Sequence, residues 1–329
     1  MRASKIVSFS IVILLITILF TGAVTVPAAA QSDMMMFRYN AQHTGDYSPV
    51  AGNNTSKGLL TWSFTTGNTV FSSPAVVNGV IYVGSYDNNV YAINATTGAK
   101  LWSFTTGNYV LSSPAVVNGV VYVGSDDNNT YAINATTGAK LWNYTTGNYV
   151  RSSPAVANGV VYVGSDDNNT YALNATTGAK LWNYTTGNAV LSSPAVVNGT
   201  VYVGSYDSNI YALNATTGTK LWNYTTGGDV YSSPAVANGT VYVGSSDNNV
   251  YALNATTGKV TWSFTTGDYV LSSPAVSNGE VYVGSVDGNI YAIGNAAAAT
   301  SQGTTPGFDV ILAFFGLVIA AYVVRRRRS

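Results

Sequence analysis

An aspartate that recurs every 40 residues is the side chain in this sequence that could most readily do chemistry. Its six copies are Asp87, Asp127, Asp167, Asp207, Asp247 and Asp287. Around one copy, the stretch Asp126-Asp127-Asn128-Asn129 offers carboxylate and amide oxygens of the kind that calcium prefers. The spacing is not that of the calcium loop of about 12 residues, however, and aspartate at a turn can accept hydrogen bonds from nearby backbone N–H groups. We therefore predict turn-forming aspartates and keep a calcium ion as the alternative.

Other residue types that build catalytic sites are scarce. The 329 residues include no cysteine, a single histidine, His43, and a single glutamate, Glu280. These numbers exclude disulfides, thiolate nucleophiles, histidine-based metal sites and a catalytic triad. No phosphate-binding loop, nucleophile elbow or zinc motif is present. We predict no catalytic residue and no metal-binding residue, and a packing or surface role for His43.

The composition points to an extracellular all-β protein. Charged residues make up 9% of the chain, against roughly 25% in an ordinary soluble domain. Gly and Asn supply turns, whereas Val, Ile, Thr, Tyr and Trp favour strands. Residues 31–308 contain eight basic and thirteen acidic side chains. This balance excludes a basic nucleic-acid footprint, so we expect no nucleic-acid partner.

Internal repeats dominate the chain. Ser-Ser-Pro-Ala-Val begins at residues 72, 112, 152, 192, 232 and 272, and the tryptophans follow the same period: Trp62, Trp102, Trp142, Trp182, Trp222 and Trp262. A period of about 40 with several short strands per unit indicates a β-propeller blade. In the unit over residues 150–188, strands Val150–Ala157, Val160–Gly164, Thr170–Asn174 and Lys180–Thr185 are predicted. The Asn-Gly pair between the first two is a strong hairpin signal.

The two ends of the repeat array complement each other. The last unit stops at Tyr291–Ile293 without a fourth strand, and the array begins with an orphan fourth strand, Leu59–Thr65. Pairing the orphan with the last unit would cover both exposed edges. We therefore predict an all-β fold, a closed six-bladed propeller of four-stranded blades. The alternative is seven blades, with residues 34–58 contributing to another blade.

A family resemblance rests on the repeated motif itself. The stretch ALNATTGAKLW, residues 172–182, resembles the tryptophan-docking motif of the PQQ-like (quinoprotein-type) propeller repeat, and VYVGSDDNNTYAL before it matches the rest of that repeat. The resemblance covers about residues 36–293, including the lead-in MFRYNAQHTGDYSP. It implies that the six tryptophans pack between blades and that a glycine permits their close approach. The family usually has aspartate where this chain has Asn94, Asn134, Asn174, Asn214 and Asn254.

The same resemblance raises the question of catalysis. Quinoprotein dehydrogenases with this fold use PQQ, a calcium ion, an aspartate base and often vicinal cysteines. This chain has no cysteine, and its nearly identical blades lack the distinct residues that one asymmetric pocket needs. We predict a protein without PQQ that is not an enzyme. A PQQ-dependent oxidoreductase-like protein stays as an alternative. So does an envelope protein-assembly factor similar to the bacterial outer-membrane propeller lipoprotein, although a lipobox cysteine is absent.

Both ends of the sequence carry targeting features. Arg2 and Lys5 precede an apolar run, residues 6–20, and small residues at 28–30 predict signal-peptide cleavage, with an uncleaved anchor as the alternative. Near the other end, Pro306, Gly307 and Phe308 precede the apolar run Val310–Val324 and four arginines. This order resembles the PGF-CTERM sorting signal of archaeal surface proteins. The resemblance implies an archaeosortase-type processing enzyme and an attached membrane lipid; a plain transmembrane helix is the alternative.

These features divide the chain into five parts. The predicted parts are a signal peptide (1–30), a lead-in (31–58), the propeller (59–293), a flexible linker (294–305) and the sorting segment with its transmembrane helix (306–329). We expect the propeller on the extracellular face of the membrane, anchored at the C-terminal end.

Differences between the blades indicate where a partner could bind. The positions equivalent to 69, 71 and 86 vary, and the topology of a four-stranded meander places them on one rim. The candidate binding residues on this rim are Phe71, Tyr109, Tyr149, Arg151, Tyr231 and Tyr269. Tyrosine is typical of recognition surfaces. The predicted partner is a surface-layer or other envelope protein, or a glycan; drift at exposed loops is the alternative.

Glycosylation sequons are numerous. The candidates that repeat with the blades are Asn94, Asn134, Asn143, Asn174, Asn183, Asn214, Asn223 and Asn254, and further sequons begin at Asn53, Asn54, Asn128, Asn168, Asn198 and Asn238. In an exported chain these are plausible acceptors, although any sequence rich in Asn and Thr produces some by chance. We predict a non-catalytic cell-surface module for binding, adhesion or scaffolding.

Overall fold

The computed structural model describes residues 60–294, where every regular element is a β-strand. The strands are β1 Ala75–Val77, β2 Val80–Gly84, β3 Asn89–Asn94, β4 Lys100–Thr105, β5 Ala115–Val117, β6 Val120–Gly124, β7 Asn129–Asn134, β8 Lys140–Thr145, β9 Ala155–Ala157, β10 Val160–Gly164, β11 Asn169–Asn174, β12 Lys180–Thr185, β13 Ala195–Val197, β14 Thr200–Gly204, β15 Asn209–Asn214, β16 Lys220–Thr225, β17 Ala235–Ala237, β18 Thr240–Gly244, β19 Asn249–Asn254, β20 Val260–Thr265, β21 Ala275–Ser277, β22 Glu280–Gly284 and β23 Ile290–Ile293. Residues 60–294 contain no helix that could span a bilayer.

The strands form antiparallel meanders in chain order. Five sheets have four strands each, from β1–β4 to β17–β20, and β21–β23 form a three-stranded sheet. In each four-stranded sheet, the register between the third and fourth strands shifts just after the alanine that pairs with the tryptophan, as at Ala172 opposite Trp182. The prediction of an all-β, propeller-type fold of four-stranded sheets is confirmed.

Asn-Gly pairs make the turns between first and second strands, as predicted. At Asn158 and Gly159, φ is 50° and 75°. Both angles lie in the left-handed region that a tight hairpin of this type requires, and Asn and Gly tolerate that region best. The local sequence thus sets the register of the first two strands in each sheet.

The turns and connections lie at two opposite ends of the strands. At one end, the connection into a sheet meets the loop between its second and third strands: Asp166 N–H donates to the Tyr149 carbonyl at 2.9 Å. At the other end, the Asn-Gly turn meets the turn between third and fourth strands, where Ala175 N–H donates to the Gly159 carbonyl at 2.9 Å. We call the first end, with the loops equivalent to 85–88 and 106–111, the aspartate face. The second, with the turns equivalent to 78–79 and 95–99, is the lysine face.

Packing between neighbouring sheets repeats along the chain. Val150, in the connection between the second and third sheets, is fully buried and lies over Gly124. On the outer side, the carbonyl of Ala175 accepts two hydrogen bonds from the second sheet, from Trp142 Nε1 at 2.9 Å and Tyr122 Oη at 3.1 Å. Because a propeller sheet buries its faces only against its neighbours, these contacts hold the fold together.

The interface between the sixth sheet and the first differs from the others. Val70, the equivalent of Val150, is 46% exposed, and the nearest atom to the space above Gly284 belongs to Ser272 of the same sheet, at 3.6 Å. Ile290, on the outer edge of β23, is 84% exposed. Residues 60–65 form no strand, so the predicted pairing of the orphan segment with the last sheet is absent from the structure.

The side chains of the orphan segment contact the first sheet. Trp62 Nε1 donates to the Ala95 carbonyl at 3.0 Å, and the ring of Phe64 lies 5.3 Å from that of Tyr91. These contacts match those of the fourth strands in the other sheets, but they leave the backbone of residues 60–65 unpaired. The prediction that residues 59–65 pair as a strand with the last sheet is therefore not met, whereas Trp62 docks as the other tryptophans do.

Several sequence predictions concern residues outside the described range. They are the signal peptide (1–30), the lead-in with His43 (31–58), Leu59, the linker after Gly294, and the sorting segment with Pro306, Gly307 and Phe308.

Candidate functional site

The structure brings the candidate rim residues together on the aspartate face. Phe71, Arg151 and Tyr231 lie at the mouth of the central channel with Leu111, Leu191, Leu271 and six serines, around a cavity of about 270 Å³. Tyr109, Tyr149 and Tyr269 lie in the connections and are 43%, 38% and 50% exposed. The most variable positions of the repeat therefore form one continuous surface.

Hydrogen bonds from backbone N–H groups to serine hydroxyls, just before the first strands of neighbouring sheets, hold the wall of this channel. Ser113 N–H donates to Ser153 Oγ at 2.9 Å, and the equivalent bonds continue from Ser73 through to Ser273. The prolines that follow these serines cannot donate to a ladder, which explains why the short first strands begin only after them. This wall fixes the height and direction of the side chains at positions 71, 111 and 151.

Aromatic rings cluster at two places on the aspartate face. The ring of Tyr86 lies 4.9 Å from that of Phe71 and stacks on Tyr109 at 4.8 Å with an interplanar angle of 10°. On the other side, Tyr206 and Tyr231 are 5.6 Å apart. Tyr86 and Tyr206 were not among the candidate rim residues, although their position varies between blades. That variation is the signal by which the sequence could have placed them in the site.

A charged cluster centres on Arg151. Its Nε lies 3.1 Å from Asp126 Oδ1, and its Nη2 lies 3.0 Å from Asp126 Oδ2, which makes a two-point contact. Nη1 lies 3.6 Å from Asp166 Oδ2, and the guanidinium carbon lies 4.7 Å from the centre of the Tyr149 ring. The two aspartates belong to the loops of neighbouring sheets, so Arg151 ties the second sheet to the third.

The electrostatics leave this cluster with an excess of negative charge. The hydrogen bond to Asp126 raises the pKa of Arg151 against the opposing effect of burial. Burial raises the pKa of the Asp166 carboxyl although Arg151 opposes this effect. Asp166 Oδ1 is buried with no hydrogen-bond partner among the described residues. Nearby, burial and the Tyr231 ring raise the pKa of Tyr206 to about 12.

The recurring aspartates are held by hydrogen bonds from their own loop, from the connection that leads into the sheet and from the tyrosine on the third strand. Asp167 Oδ2 accepts hydrogen bonds from Gly147 N–H at 2.6 Å and Tyr171 Oη at 2.7 Å, whereas Oδ1 accepts from Asn169 N–H at 3.0 Å. At the equivalent Asp207, burial raises the carboxyl pKa, but hydrogen bonds of this kind outweigh burial and lower it. Within residues 60–294, no group of three or more His, Asp or Glu side chains is placed to hold a metal ion.

The tryptophans lie between neighbouring sheets. Trp142 and Trp182 are almost fully buried. A Cβ added to Gly178 would lie 2.7 Å from Cδ2 of the Trp142 indole, so the indole occupies the space that a side chain would need. The same close approach recurs at Gly98, Gly138, Gly218 and Gly258.

The sequons differ in how far their side chains are exposed to solvent. Asn143, Asn183 and Asn223 are exposed on the outermost strands. Asn134 and its equivalents begin the turns of the lysine face, where Oδ1 accepts hydrogen bonds from two backbone N–H groups. Asn128 has a φ of 72° and a buried Oδ1, and its sequon threonine, Thr130, has a buried hydroxyl.

We therefore expect glycans at Asn143, Asn183 and Asn223, but none at Asn128 or Asn168. A transferase acting on the folded domain can reach an exposed outer strand, whereas the sequon threonines Thr130 and Thr170 at the other two sites are fully buried. Glycopeptide mass spectrometry of the protein isolated from its native membrane measures the occupancy of each site. Sugar at Asn128 would contradict this expectation and would mean that modification precedes folding.

Three family models match the chain. The model described as beta-alanine-activating enzyme, beta-propeller, matches residues 50–238. A PQQ-type repeat model described as outer membrane protein assembly factor BamB matches residues 225–301, and the PGF-CTERM motif matches residues 305–327. The predicted resemblances to PQQ-like repeats and to the sorting motif are confirmed. A PGF-CTERM motif indicates an archaeal cell-surface protein with a C-terminal membrane anchor and archaeosortase processing.

Solved structures with a similar fold include both enzymes and non-enzymes. BamB from Moraxella catarrhalis is 20% identical, with a TM-score of 0.50 and coverage of 71% of this chain and 88% of that one. A europium-containing methanol dehydrogenase is 18% identical, with a TM-score of 0.63 and coverage of 72% and 59%. A quinohemoprotein alcohol dehydrogenase from Pseudomonas putida HK5 is 19% identical, with a TM-score of 0.66 and coverage of 79% and 57%.

These likenesses show the fold alone. The chain spans less than two thirds of the length of either dehydrogenase. No curated protein matches it in sequence.

Proposed function

We propose that this chain, which belongs to the β-propeller family of the beta-alanine-activating enzyme, is a non-catalytic binding module on the archaeal cell surface. Its contact surface is the aspartate face, and its partner is a surface-layer or other envelope protein, with a glycan as the second candidate. One observation carries the proposal: the positions that differ most between the sheets, those equivalent to 69, 71 and 86, meet on that face.

The side chains on this face suit recognition. Exposed tyrosines give rigid contact area with few rotatable bonds. The face carries ten aspartates and one arginine, which leaves nine negative charges. A partner with a basic contact surface is therefore favoured, because opposite potentials speed encounter and exclude acidic competitors.

The residues at the channel mouth do not fit PQQ, the cofactor that the quinoprotein resemblance brings to mind. PQQ is a planar quinone with three carboxylates, which requires cationic partners. The mouth offers Arg151 as the one cation among its described lining residues, and Asp126 already occupies both arms of its fork. Asp166 beside it adds a second carboxylate. Titration of the protein with PQQ, followed by absorbance, tests the oxidoreductase alternative, and saturable binding would favour it.

An assembly role is the other alternative, and the match of residues 225–301 to the BamB model favours it. Both roles use a contact surface and neither needs catalysis. A pull-down separates them, since an assembly factor should retain nascent envelope proteins, whereas a surface module should retain mature ones. The number of blades, six with seven as the alternative, stays a prediction for the complete chain.

Replacing Tyr109, Tyr149 and Tyr269 together by alanine should weaken retention of the envelope partner at least tenfold. The three rings are exposed, so their loss removes contact area without opening the core. The measurement is a pull-down from solubilised cell envelopes with the detergent-solubilised full chain, followed by titration of the captured partner.

The matched control replaces three exposed threonines of the lysine face that lie outside the sequons, Thr137, Thr177 and Thr217, by alanine, and it should bind like the natural chain. Arg151→Lys, which keeps the charge but loses the two-point contact with Asp126, should weaken binding less than the triple tyrosine variant. If the folded tyrosine variant retains the partner fully, or if the threonine variant loses it, the aspartate face is not the binding surface.

A further inference from the structure

Charge is segregated between the two faces of the ring. The exposed lysines lie at the start of the fourth strands, next to the turns of the lysine face: Lys100, Lys140, Lys180, Lys220 and Lys259. Glu280 is the one acidic residue on that face among the described residues, whereas the aspartate face carries ten aspartates and Arg151. The ring is therefore polar along its axis, with a positive end and a negative end.

The positive end is ordered by local contacts. Lys140, Lys180 and Lys220 each place Nζ 3.0–3.2 Å from the amide oxygen of an asparagine three residues later on the same strand. None of the five lysines forms an ion pair within the described residues. Five unneutralised ammonium groups thus lie at one end of five successive sheets.

The chain leaves the ring from the same end. β23 runs in the direction of the other third strands, which end at the turns of the lysine face, and Gly294 directly after it lies against the Glu280 side chain. The sorting motif begins at residue 305, so ten residues separate it from Gly294. At ~3.3 Å per residue, such a segment spans at most about 35 Å. The membrane anchor therefore tethers the ring by its lysine face.

We propose that the lysine face docks on an anionic lipid bilayer, so that the ring lies flat on the membrane with the aspartate face outward. Two independent observations agree on this orientation, the position of the tethered end and the complementarity of five lysines with anionic headgroups. Lysines near an anionic surface are attracted within about one Debye length, ~10 Å at 0.1 M salt. The aspartate face would be repelled by the same surface. The proposal does not depend on which partner the aspartate face binds.

The absence of cysteine makes the orientation directly measurable. Thr176→Cys places a single donor fluorophore on the lysine face, and Ala189→Cys places one on the aspartate face of the neighbouring connection. Each full-length variant is reconstituted into phosphatidylcholine vesicles with or without 30% phosphatidylglycerol and with an acceptor fluorophore on the headgroups. In anionic vesicles we expect at least twofold higher energy transfer from position 176 than from position 189.

Changing the lysines separates docking from simple tethering. With all five lysines replaced by glutamine, with neutral vesicles, or in 1 M salt, the difference between the two labels should disappear, whereas replacement by arginine should preserve it. Equal transfer from both faces in anionic vesicles, or a difference that survives the glutamine replacements, would overturn the proposal. An orientation that appears only after acidic envelope proteins are added would also overturn it and would assign the lysine face to a protein partner.

Discussion

Replacing Gly164 by alanine should lower the free energy of unfolding by about 3 kcal/mol. Gly164 ends β10 and lies directly under Val190, which is fully buried in the connection to the next sheet. A Cβ at this position would lie 2.5 Å from both Val190 Cγ1 and the Val190 carbonyl oxygen. The backbone cannot withdraw, because Val190 N–H donates to the Ser165 carbonyl at 3.0 Å. Urea unfolding followed by tryptophan fluorescence measures the loss.

Gly284→Ala is the matched control, since it makes the same change at the same place in the repeat. At Gly284 the nearest atom to an added Cβ is Ser272 Oγ at 3.6 Å, an ordinary contact. This variant should therefore unfold within about 0.5 kcal/mol of the natural chain. Equal losses in the two variants would contradict the open interface between the sixth and first sheets and would show that Val70 packs on Gly284 in a closed ring.

Local features of this fold could be predicted from the sequence because the same short pattern occurs in all six units. An Asn-Gly pair needs positive φ at both residues, and the observed 50° and 75° at Asn158 and Gly159 follow from that chemistry alone. Because short turns join the four strands of a unit, consecutive strands pair with each other and form an antiparallel meander. The position of each fourth-strand tryptophan between the sheets was expected from the family resemblance, and Trp142 Nε1 donates to the Ala175 carbonyl in the next sheet.

Ring closure could not be predicted in the same way. It depends on a contact between residues 60–65 and β23, which are separated by more than 220 positions, and no local pattern states how the sheets curve. The orphan segment satisfies its side chains on the first sheet through Trp62 and Phe64. The sequence pattern shows that the side chains of residues 60–65 are those of a fourth strand. Whether this segment reaches the edge of β23 depends on the angle between successive sheets.

The candidate site shows the same limit. Variation between units located the rim, and the topology of a meander placed the varying positions on one face. The contact between Arg151 and Asp126 joins residues 25 positions apart in different units. Predicting it requires the height of the first strand relative to the loop of the preceding sheet, which the bonds between Ser113 and Ser153 set. Charge alone gave no reason to pair them.

Many constant residues of the repeat lie between neighbouring sheets, whereas its most variable positions lie at one end of the strands. The docking tryptophan and its glycine are the same in the successive units and lie where neighbouring sheets meet. A change in either residue would disturb the packing between two sheets. The positions that differ most, those equivalent to 69, 71 and 86, lie at the aspartate face, where a change alters the surface and leaves the core intact. Duplication of one stable unit therefore leaves one face free to diverge, which is the physical basis for placing recognition there.

Replacing Gly178 by alanine should also lower the free energy of unfolding by about 3 kcal/mol, through two separate causes. The residue has a φ of 72°, which costs a non-glycine residue roughly 1 kcal/mol. The added Cβ would in addition lie 2.7 Å from the Trp142 indole. That indole cannot move aside without losing its 2.9 Å hydrogen bond to the Ala175 carbonyl and its packing 5.8 Å from the Tyr122 ring.

Gly159→Ala isolates the second cause, because Gly159 has a φ of 75° and no atom within 4 Å of an added Cβ. It should cost only the conformational term of roughly 1 kcal/mol. Urea unfolding measures both variants, and the near-ultraviolet circular dichroism of the tryptophans should change in Gly178→Ala alone. If the two substitutions cost the same, the indole contact contributes nothing to stability. The tryptophans would then fill space between the sheets without holding them together.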